Sequence, residues 1–284
     1  KGVYELGSVF KTFTYAAGLN EGYINPDTEF KNLEKKIYCS KFPISEYDDK
    51  IPSDLSAEQI LIRSGNIGSI RIAQKVGEEK FKKFLNDLGL LNTLDFDIEE
   101  IGTPLKFKWG KCKLATSAYG HGITTTPLQL AKAYSIISNG GYYIKPTLVF
   151  DEKKREIKYE QIISSDTSKK VNLALRKIVT TKEGTASFAN IEGYEVAGKT
   201  GTAQKSIAGG YSKNKINTFA SIFPASDPKY VLIVMLDEPK PNKDYIYEYK
   251  DGSGWKIKGT QFNTAGWTTV EVVGKIIEKI GPIL

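Results

Sequence analysis

The chain has 284 residues, of which 40% are hydrophobic and 26% are charged, and its net charge is +7. These values are ordinary for a globular protein of one large or two small domains. The positive charge is moderate and no block of lysine and arginine accompanies it, which argues against nucleic-acid binding. The sequence has no apolar run of about 18 residues or more, the pattern that would predict a membrane span.

The first predicted element is a helix over residues 7–18. Phe10 and Phe13 belong to its apolar stripe, and Ser8 stands where a helix cap is common. Residues three apart on a helix are neighbours, so the Lys11 amine is expected beside the Ser8 hydroxyl. From the residues alone, Ser8 is either a plain cap or a hydroxyl that a lysine can activate.

Helical spacing predicts further helices along the chain, at residues 56–63, 67–76, 78–91, 127–139, 166–180 and 270–280. Ser64-Gly65-Asn66 falls at the break between the first two of these. Such a break would direct the Ser64 and Asn66 side chains into a cleft. A polar turn between two helices is the simpler interpretation of the same residues.

Strand patterns dominate the last third of the chain. Residues around 196–202 read as a strand, and 218–223 and 230–236 read as a hairpin with its turn at Asp227-Pro228. Residues 238–263 are rich in tyrosine and lysine without a regular period, which predicts a long mobile loop. Helices in the middle and strands late indicate an α+β fold with two lobes.

Lys199-Thr200-Gly201-Thr202 forms the most distinctive strand. A lysine and two hydroxyls beside a glycine make a strand edge that suits an extended, anionic peptide held by main-chain hydrogen bonds. An ordinary strand with one solvated lysine is the alternative.

Two residue types leave their roles open. Cys39 and Cys112 are far apart in the sequence, and two free thiols are favoured over a disulfide, although sequence cannot decide between them. His121 is the sole histidine. We expect it to have a structural role, because lysine chemistry leaves it no task.

Three motifs follow one another in the order Ser8-Val9-Phe10-Lys11, Ser64-Gly65-Asn66 and Lys199-Thr200-Gly201. S-x-x-K, a serine-centred second motif and K-T-G are the signature of penicillin-binding proteins and class A β-lactamases. The neighbourhoods 5–8, 119–130, 196–205 and 223–228 resemble the transpeptidase domain of class B penicillin-binding proteins. The segment 264–269 is most similar to the septum-specific, cell-division branch, and the resemblance runs from residue 5 to the C-terminus.

This resemblance implies a penicillin-recognising serine transferase/β-lactamase-like α+β fold, in which helices flank an antiparallel sheet and form an all-helical lobe. It predicts one transpeptidase domain over residues 1–284, with the helical lobe at about 20–180 and the sheet lobe at about 1–19 and 185–284. Members of the family carry a membrane anchor, a non-catalytic pedestal and the first sheet strands before the serine. The resemblance therefore implies an N-terminally truncated fragment that lacks them.

The reaction implied by the resemblance is D,D-transpeptidation, which cross-links peptidoglycan stem peptides through a serine acyl-enzyme. Ser8 would be the nucleophile and neutral Lys11 its general base. Ser64 and Lys199 would relay a proton to the leaving D-alanine. A β-lactam would acylate Ser8 in place of the peptide.

The substrate contacts follow from the same resemblance. Asn66 would hold the amide of the donor peptide, and Thr200 and Thr202 would bind its terminal carboxylate. Gly201 would be a further substrate-binding residue. The backbone N–H groups of Ser8 and Thr202 would form the oxyanion hole.

No metal or other cofactor is implied. The expected partners are stem peptides, β-lactam antibiotics and membrane proteins of the division machinery. The expected location is the extracytoplasmic side of the inner membrane. Two alternatives stay open. A serine β-lactamase would need a glutamate base, for which Glu78, Glu99 and Glu100 are candidates. A non-hydrolytic β-lactam receptor or division scaffold would acylate without peptide chemistry.

Overall fold

The computed structural model describes residues 2–106, 108–110, 112–150, 159–207, 210–248, 256–258 and 262–284. The helices are α1 (Lys11–Asn20), α2 (Ala57–Ile62), α3 (Asn66–Val76), α4 (Glu78–Asp87), α5 (Lys113–Ser117), α6 (Pro127–Ser138), α7 (Ser165–Thr180) and α8 (Thr269–Ile280). The strands are β1 (Glu29–Phe30), β2 (Lys36–Cys39), β3 (Phe42–Ser45), β4 (Leu55–Ser56), β5 (Ala197–Ile207), β6 (Gly210–Phe223), β7 (Tyr230–Asp237), β8 (Ile246–Glu248) and β9 (Lys256–Lys258).

An antiparallel sheet of β5, β6 and β7 carries the strand around Lys199, with β6 in the centre. Successive side chains of a strand point to opposite faces. Phe219 and Ala220 of β6 are both fully buried, so both faces of the sheet are covered. Helix α8 packs on β6 and β7, and α6 packs on the same two strands. The predicted pairing of these strands and the docking of the C-terminal helix are confirmed.

The strands of this sheet are longer than predicted. Strand β6 begins at Gly210 instead of residue 218 and pairs with β5 as far as Ile207. Its first residues are polar and mostly exposed, so they carry no alternation that would have marked them as a strand. Backbone hydrogen bonds to β5 stabilise this part of the strand, although its side-chain pattern does not predict one.

Helix α1 is the most enclosed element near the site. Every residue from Lys11 to Leu19 is buried, because α2, α3, α4 and α7 all contact this helix. Two of its threonine hydroxyls find partners inside the protein, whereas the buried Tyr15 hydroxyl has none among the described residues. The Thr12 hydroxyl lies 2.8 Å from that of Tyr134, and the Thr14 hydroxyl donates to the carbonyl of Ala118 at 2.7 Å. The helix is therefore buried without unpaired threonine hydroxyls.

The two cysteines form a disulfide, so the preference for free thiols was wrong. Cys39 ends β2, and Cys112 directly precedes α5; their Cα atoms are 5.6 Å apart. The residues are 73 positions apart in the sequence, so only the fold shows that they meet. The disulfide ties the β2–β3 hairpin to the start of α5.

The segment 238–263, predicted as an irregular loop, contains a short two-stranded sheet of β8 and β9. Tyr247 of β8 is only 3% exposed and packs against the rings of Phe188 and Trp267. This buried tyrosine contradicts the prediction for its part of the segment. Residues 249–255 and 259–261 lie outside the described part of the chain.

The region predicted as the helical lobe also holds strands. Two short antiparallel pairs, β1–β4 and β2–β3, lie between α1 and α3 in the sequence. Helix α7 contacts both α1 and β5, so it joins the helices to the sheet. Among the described residues, no helix is both long and apolar enough to span a bilayer.

Candidate active site

Ser8 lies in a short 3-10 turn, Gly7–Phe10, that leads into α1. The α-helix itself begins at Lys11, later than predicted, and Ser8 makes no capping hydrogen bond at either helix start. Ser8 is half-buried and lines a cleft of about 640 Å³. Its hydroxyl is therefore not used for capping, which leaves it accessible from the cleft.

The serine turn packs directly on β5, and Gly201 permits this approach. A Cβ atom at Gly201 would lie 2.3 Å from the Leu6 carbonyl oxygen and 3.0 Å from a methyl carbon of Val9. A residue without a side chain is required at this contact. Gly201 is thus buried against the serine turn, and it is not among the described residues that line the cleft.

Ser64 stands at the break between α2 and α3, as predicted. Its φ is 58°, which is uncommon for a residue other than glycine. The carboxylate of Glu46 accepts hydrogen bonds from the backbone N–H groups of Asn66, at 2.6 Å, and Ile67, at 2.9 Å. An anionic cap at a helix N-terminus is stabilising. Glu46 therefore stabilises the start of α3 and with it the break at Ser64. No sequence pattern predicted this role.

Two lysines converge on Ser64. Lys199 Nζ donates to Ser64 Oγ at 2.7 Å, and Lys11 Nζ approaches the same hydroxyl at 3.2 Å. Lys11 Nζ also donates to the Ser64 carbonyl at 2.5 Å and to Asn66 Oδ1 at 2.7 Å. Lys11 and Lys199 are 1% and 0% exposed, so both amines lie beneath the surface of the cleft.

Burial changes the protonation of both lysines. Loss of water around its amine lowers the pKa of Lys11 from 10.5 to about 7, although the carboxylate of Glu46 opposes this shift. Burial also lowers the pKa of Lys199 well below its ordinary value, and the charge of Lys11 lowers it further. Neutral lysine amines at neutral pH can accept protons, as a general base must.

The β5 edge contributes hydroxyl groups to the cleft. Thr200 Oγ1 lies 2.6 Å from Thr185 Oγ1, so the pair shares one hydrogen bond and keeps one hydroxyl hydrogen free. Thr202 Oγ1 accepts from the backbone N–H of Ala265 at 3.0 Å, and its own hydrogen has no acceptor among the described residues. Both threonines line the cleft, as does Asn66. The sequence analysis missed the role of Thr185.

Glu5, Tyr119 and His121 also line the cleft. The buried carboxylate of Glu5 accepts from the backbone N–H of Gly122 at 2.8 Å and from the Tyr211 hydroxyl at 3.1 Å. Neither Glu5 nor Tyr211 was a predicted site residue. Tyr211 comes from the polar start of β6, where no strand was predicted.

The structure thus brings together side chains that are far apart in the sequence. Ser8, Ser64, Asn66, Thr200 and Thr202 line one cleft, while the two lysine amines lie below it. The alternative glutamate bases are elsewhere: Glu78, Glu99 and Glu100 are not among the described residues that line the cleft.

The chain is similar to known proteins along most of its length. A family model described as "Penicillin binding protein transpeptidase domain" matches residues 1–254. The probable peptidoglycan D,D-transpeptidase FtsI of Caulobacter vibrioides is 28% identical over 99% of this chain and 47% of its own length. Stage V sporulation protein D of Bacillus subtilis is 33% identical over 84% of this chain and 38% of its length. The chain spans about half or less of the length of these relatives.

Solved structures show the same fold. The transpeptidase domain of Burkholderia pseudomallei penicillin-binding protein 3 superposes with a TM-score of 0.84, covering 100% of this chain and 80% of that one, at 24% identity. Penicillin-binding protein 3 of Mycobacterium tuberculosis, solved with aztreonam, gives a TM-score of 0.80 over 99% of this chain and 64% of that one, also at 24% identity.

Proposed function

The chain belongs to the family of penicillin-binding protein transpeptidase domains, and from this premise we propose that it is a peptidoglycan D,D-transpeptidase. It cross-links stem peptides through an acyl-enzyme on Ser8 and is inhibited by β-lactams. The observation that carries the proposal is the Ser64 hydroxyl, which two buried lysines share beneath the cleft that Ser8 lines.

Acylation begins when Lys11, neutral through its burial, takes the proton of Ser8. The oxygen of Ser8 attacks the carbonyl carbon of the penultimate D-alanine. The backbone N–H groups of Ser8 and Thr202 stabilise the oxyanion, and such a donor is typically worth about 3 kcal/mol in the barrier. The packing of the serine turn on β5 at Gly201 supports this pairing of donors from two elements.

Departure of the terminal D-alanine requires a proton on its amine. Ser64 passes it from the lysines, since its hydroxyl lies 2.7 Å from Lys199 Nζ and 3.2 Å from Lys11 Nζ. A short chain of hydrogen-bonded groups can move a proton without admitting bulk water.

The terminal carboxylate of the donor peptide binds at Thr202 and at the Thr200–Thr185 pair, each of which has a free hydroxyl hydrogen. Asn66 holds the donor amide while its Oδ1 accepts from Lys11. Gly201 lets the serine turn approach β5, and its predicted contact with the substrate stays part of this proposal.

We further propose a septal role on the extracytoplasmic side of the membrane, with stem peptides and division proteins as partners. The names of relatives such as FtsI support this assignment. The two-lobe division, with helices at about 20–180 and the sheet formed by the flanking residues, is part of the same proposal.

Intact-mass spectrometry with a penicillin tests the proposal. We expect one covalent adduct of the antibiotic mass on the parent protein and none on Ser8→Ala. The parent should release D-alanine from a D-alanyl-D-alanine peptide, which a receptor would not. Rapid turnover of a chromogenic cephalosporin, or an adduct that survives in Ser8→Ala, would contradict the assignment.

A further inference from the structure

His121, for which only a structural role was expected, lies beside the serine turn. The connection runs through its neighbour Gly120, where a Cβ atom would lie 2.0 Å from the Gly7 carbonyl oxygen. The turn that carries His121 therefore packs directly against the residue before Ser8. Both Ser8 and His121 line the same cleft.

Aromatic rings hold the imidazole in place. It stacks on Tyr119 with ring centroids 5.9 Å apart and contacts the Tyr211 ring at 4.7 Å. Its Nδ1 is 3.9 Å from Glu5 Oε2, and Glu5 is itself fixed by Gly122 and Tyr211. The side chain remains 42% exposed. The ring is thus oriented on one side and accessible on the other.

The second half of a transpeptidation needs a base that meets the acceptor. An alkyl amine has a pKa near 10.4 and arrives as an ammonium ion, which cannot attack an ester. Lys11 and Lys199 lie below the cleft surface and reach an amine in the cleft through the Ser64 hydroxyl, the group that serves the leaving D-alanine. His121 is exposed to an incoming molecule, and it is the only described cleft residue with an ordinary pKa near neutrality.

Resting on the function proposed above, we propose that His121 is the general base for the acceptor amine, with Glu5 as its positioning residue. The ammonium gives one proton to Nε2, the imidazole nitrogen that does not face Glu5. The free amine then attacks the ester carbonyl of acyl-Ser8. A C–N bond forms, the C–O bond to Ser8 breaks, and a second amine proton passes to the Ser8 oxygen. The imidazolium finally releases its proton to water.

The charges around the ring are compatible with this role. Burial lowers the pKa of His121, the charge of Lys113 on α5 lowers it further, and Glu5 opposes both. The phenols of Tyr119 and Tyr211 face the ring, and burial raises the pKa of each above its usual range, so both stay neutral. His121 is therefore neutral at neutral pH, and the Glu5 carboxylate stabilises the imidazolium once it forms.

A partition experiment separates this step from acylation. The enzyme is acylated by a D-alanyl thioester in the presence of D-alanine as amine acceptor. Three products are measured: the thiol released on acylation, the amide formed by attack of D-alanine on the acyl-enzyme, and the acid formed by its hydrolysis. For His121→Gln at pH 7 we expect thiol release within about twofold of the parent and an amide-to-acid ratio at least tenfold lower. At pH 10, where a far larger fraction of the acceptor amine is free than at pH 7, the ratio should return to within about threefold.

His121→Phe is the matched variant, because it keeps an aromatic ring between the tyrosines and removes the base. It should show the same loss and the same recovery at high pH. If His121→Phe retains the parent ratio, or if the loss persists at pH 10, the ring is only a contact and the base assignment is overturned. Failure of thiol release in the parent would instead overturn the proposed function itself.

Because His121 is the sole histidine, one imidazole NMR signal of the untagged protein reports on it without assignment. In the stable penicilloyl-enzyme we expect a neutral ring at pH 7. A ring that stays protonated above pH 7 would exclude it as the base, whatever the variants show.

Discussion

Lys11 must lose its charge inside the protein for the proposed mechanism to operate. The contacts of its amine are with a carbonyl, a hydroxyl and an amide oxygen, so hydrogen bonds orient it without an ion pair among the described residues. The result is a lysine that titrates near neutrality, at a pKa of about 7.

Replacement of this amine by a permanent cation separates base catalysis from simple electrostatics. We expect Lys11→Arg to slow acylation by a penicillin at least about 100-fold, because arginine stays protonated. The acylation rate of the parent should rise with pH through about 7 as Lys11 deprotonates. Stopped-flow acylation across pH measures both, and an arginine variant that acylates at the parent rate would show that Lys11 serves only as a fixed charge.

Ser64 has a φ of 58°, in the left-handed region of backbone conformation that is unfavourable for residues with a side chain. Ser64→Gly and Ser64→Ala both lose the hydroxyl, but only glycine relieves the strain. We expect the glycine variant to have a free energy of unfolding about 1–2 kcal/mol higher than the alanine variant. Urea titration compares the two. Equal stability would mean that the positive φ is not strained at this site.

For single residues, the sequence predicted which residues form the site better than it predicted their contacts. Ser8, Lys11, Ser64 and Lys199 were singled out through a recognisable order of motifs, and the structure brings their elements together. Lys11 was expected beside the Ser8 hydroxyl, whereas its hydrogen bonds are with Ser64 and Asn66. Partners such as Glu46 depend on tertiary packing, which no local spacing encodes.

Among the elements, the β2–β3 hairpin depends on a covalent link. The Cys39–Cys112 disulfide joins it across 73 positions to the start of α5. We expect Cys39→Ser to lower the free energy of unfolding by roughly 2–4 kcal/mol, because the bond restricts the unfolded chain. Cys112→Ser and the double variant should give the same loss. Chemical denaturation measures it, and the effect of a reductant on the parent provides a check.

If the three serine variants differ strongly in stability, the loss comes from packing at the individual sites and not from the link. A double variant as stable as the parent would show that the hairpin is held by its other contacts.

Elements with clear periodicity were predicted well, and α3, α6, α7 and α8 lie within a few residues of their expected bounds. The two missed strand segments of the last third share one cause. The start of β6 and strand β8 are polar or aromatic segments without alternation, and each is stabilised by pairing with another part of the chain. Pairing of this kind overrides local preference.

For the molecule as a whole, the two buried lysines link stability to pH. Between about pH 7 and 10.5, Lys11 binds a proton in the unfolded chain but not in the folded protein, so stability rises with pH. Relative to Lys11→Met, the parent should gain up to about 1.4 kcal/mol per pH unit in this window. Below pH 7 the difference should level off.

Urea titrations of both proteins at each pH give this comparison directly, because the ionisable groups remote from Lys11 contribute equally to both. A difference that stays constant from pH 7 to 10 would mean that Lys11 keeps its charge in the folded protein.

The complete burial of α1 has a consequence for how the protein loses activity. The serine turn continues directly into this helix, and the helix touches α2, α3, α4 and α7. Fraying from one end cannot release it, so the nucleophile should remain in position until the cooperative unit around it opens. Covalent labelling by a penicillin would then count folded molecules: in a partly denatured sample, the labelled fraction should follow the native fraction through the transition.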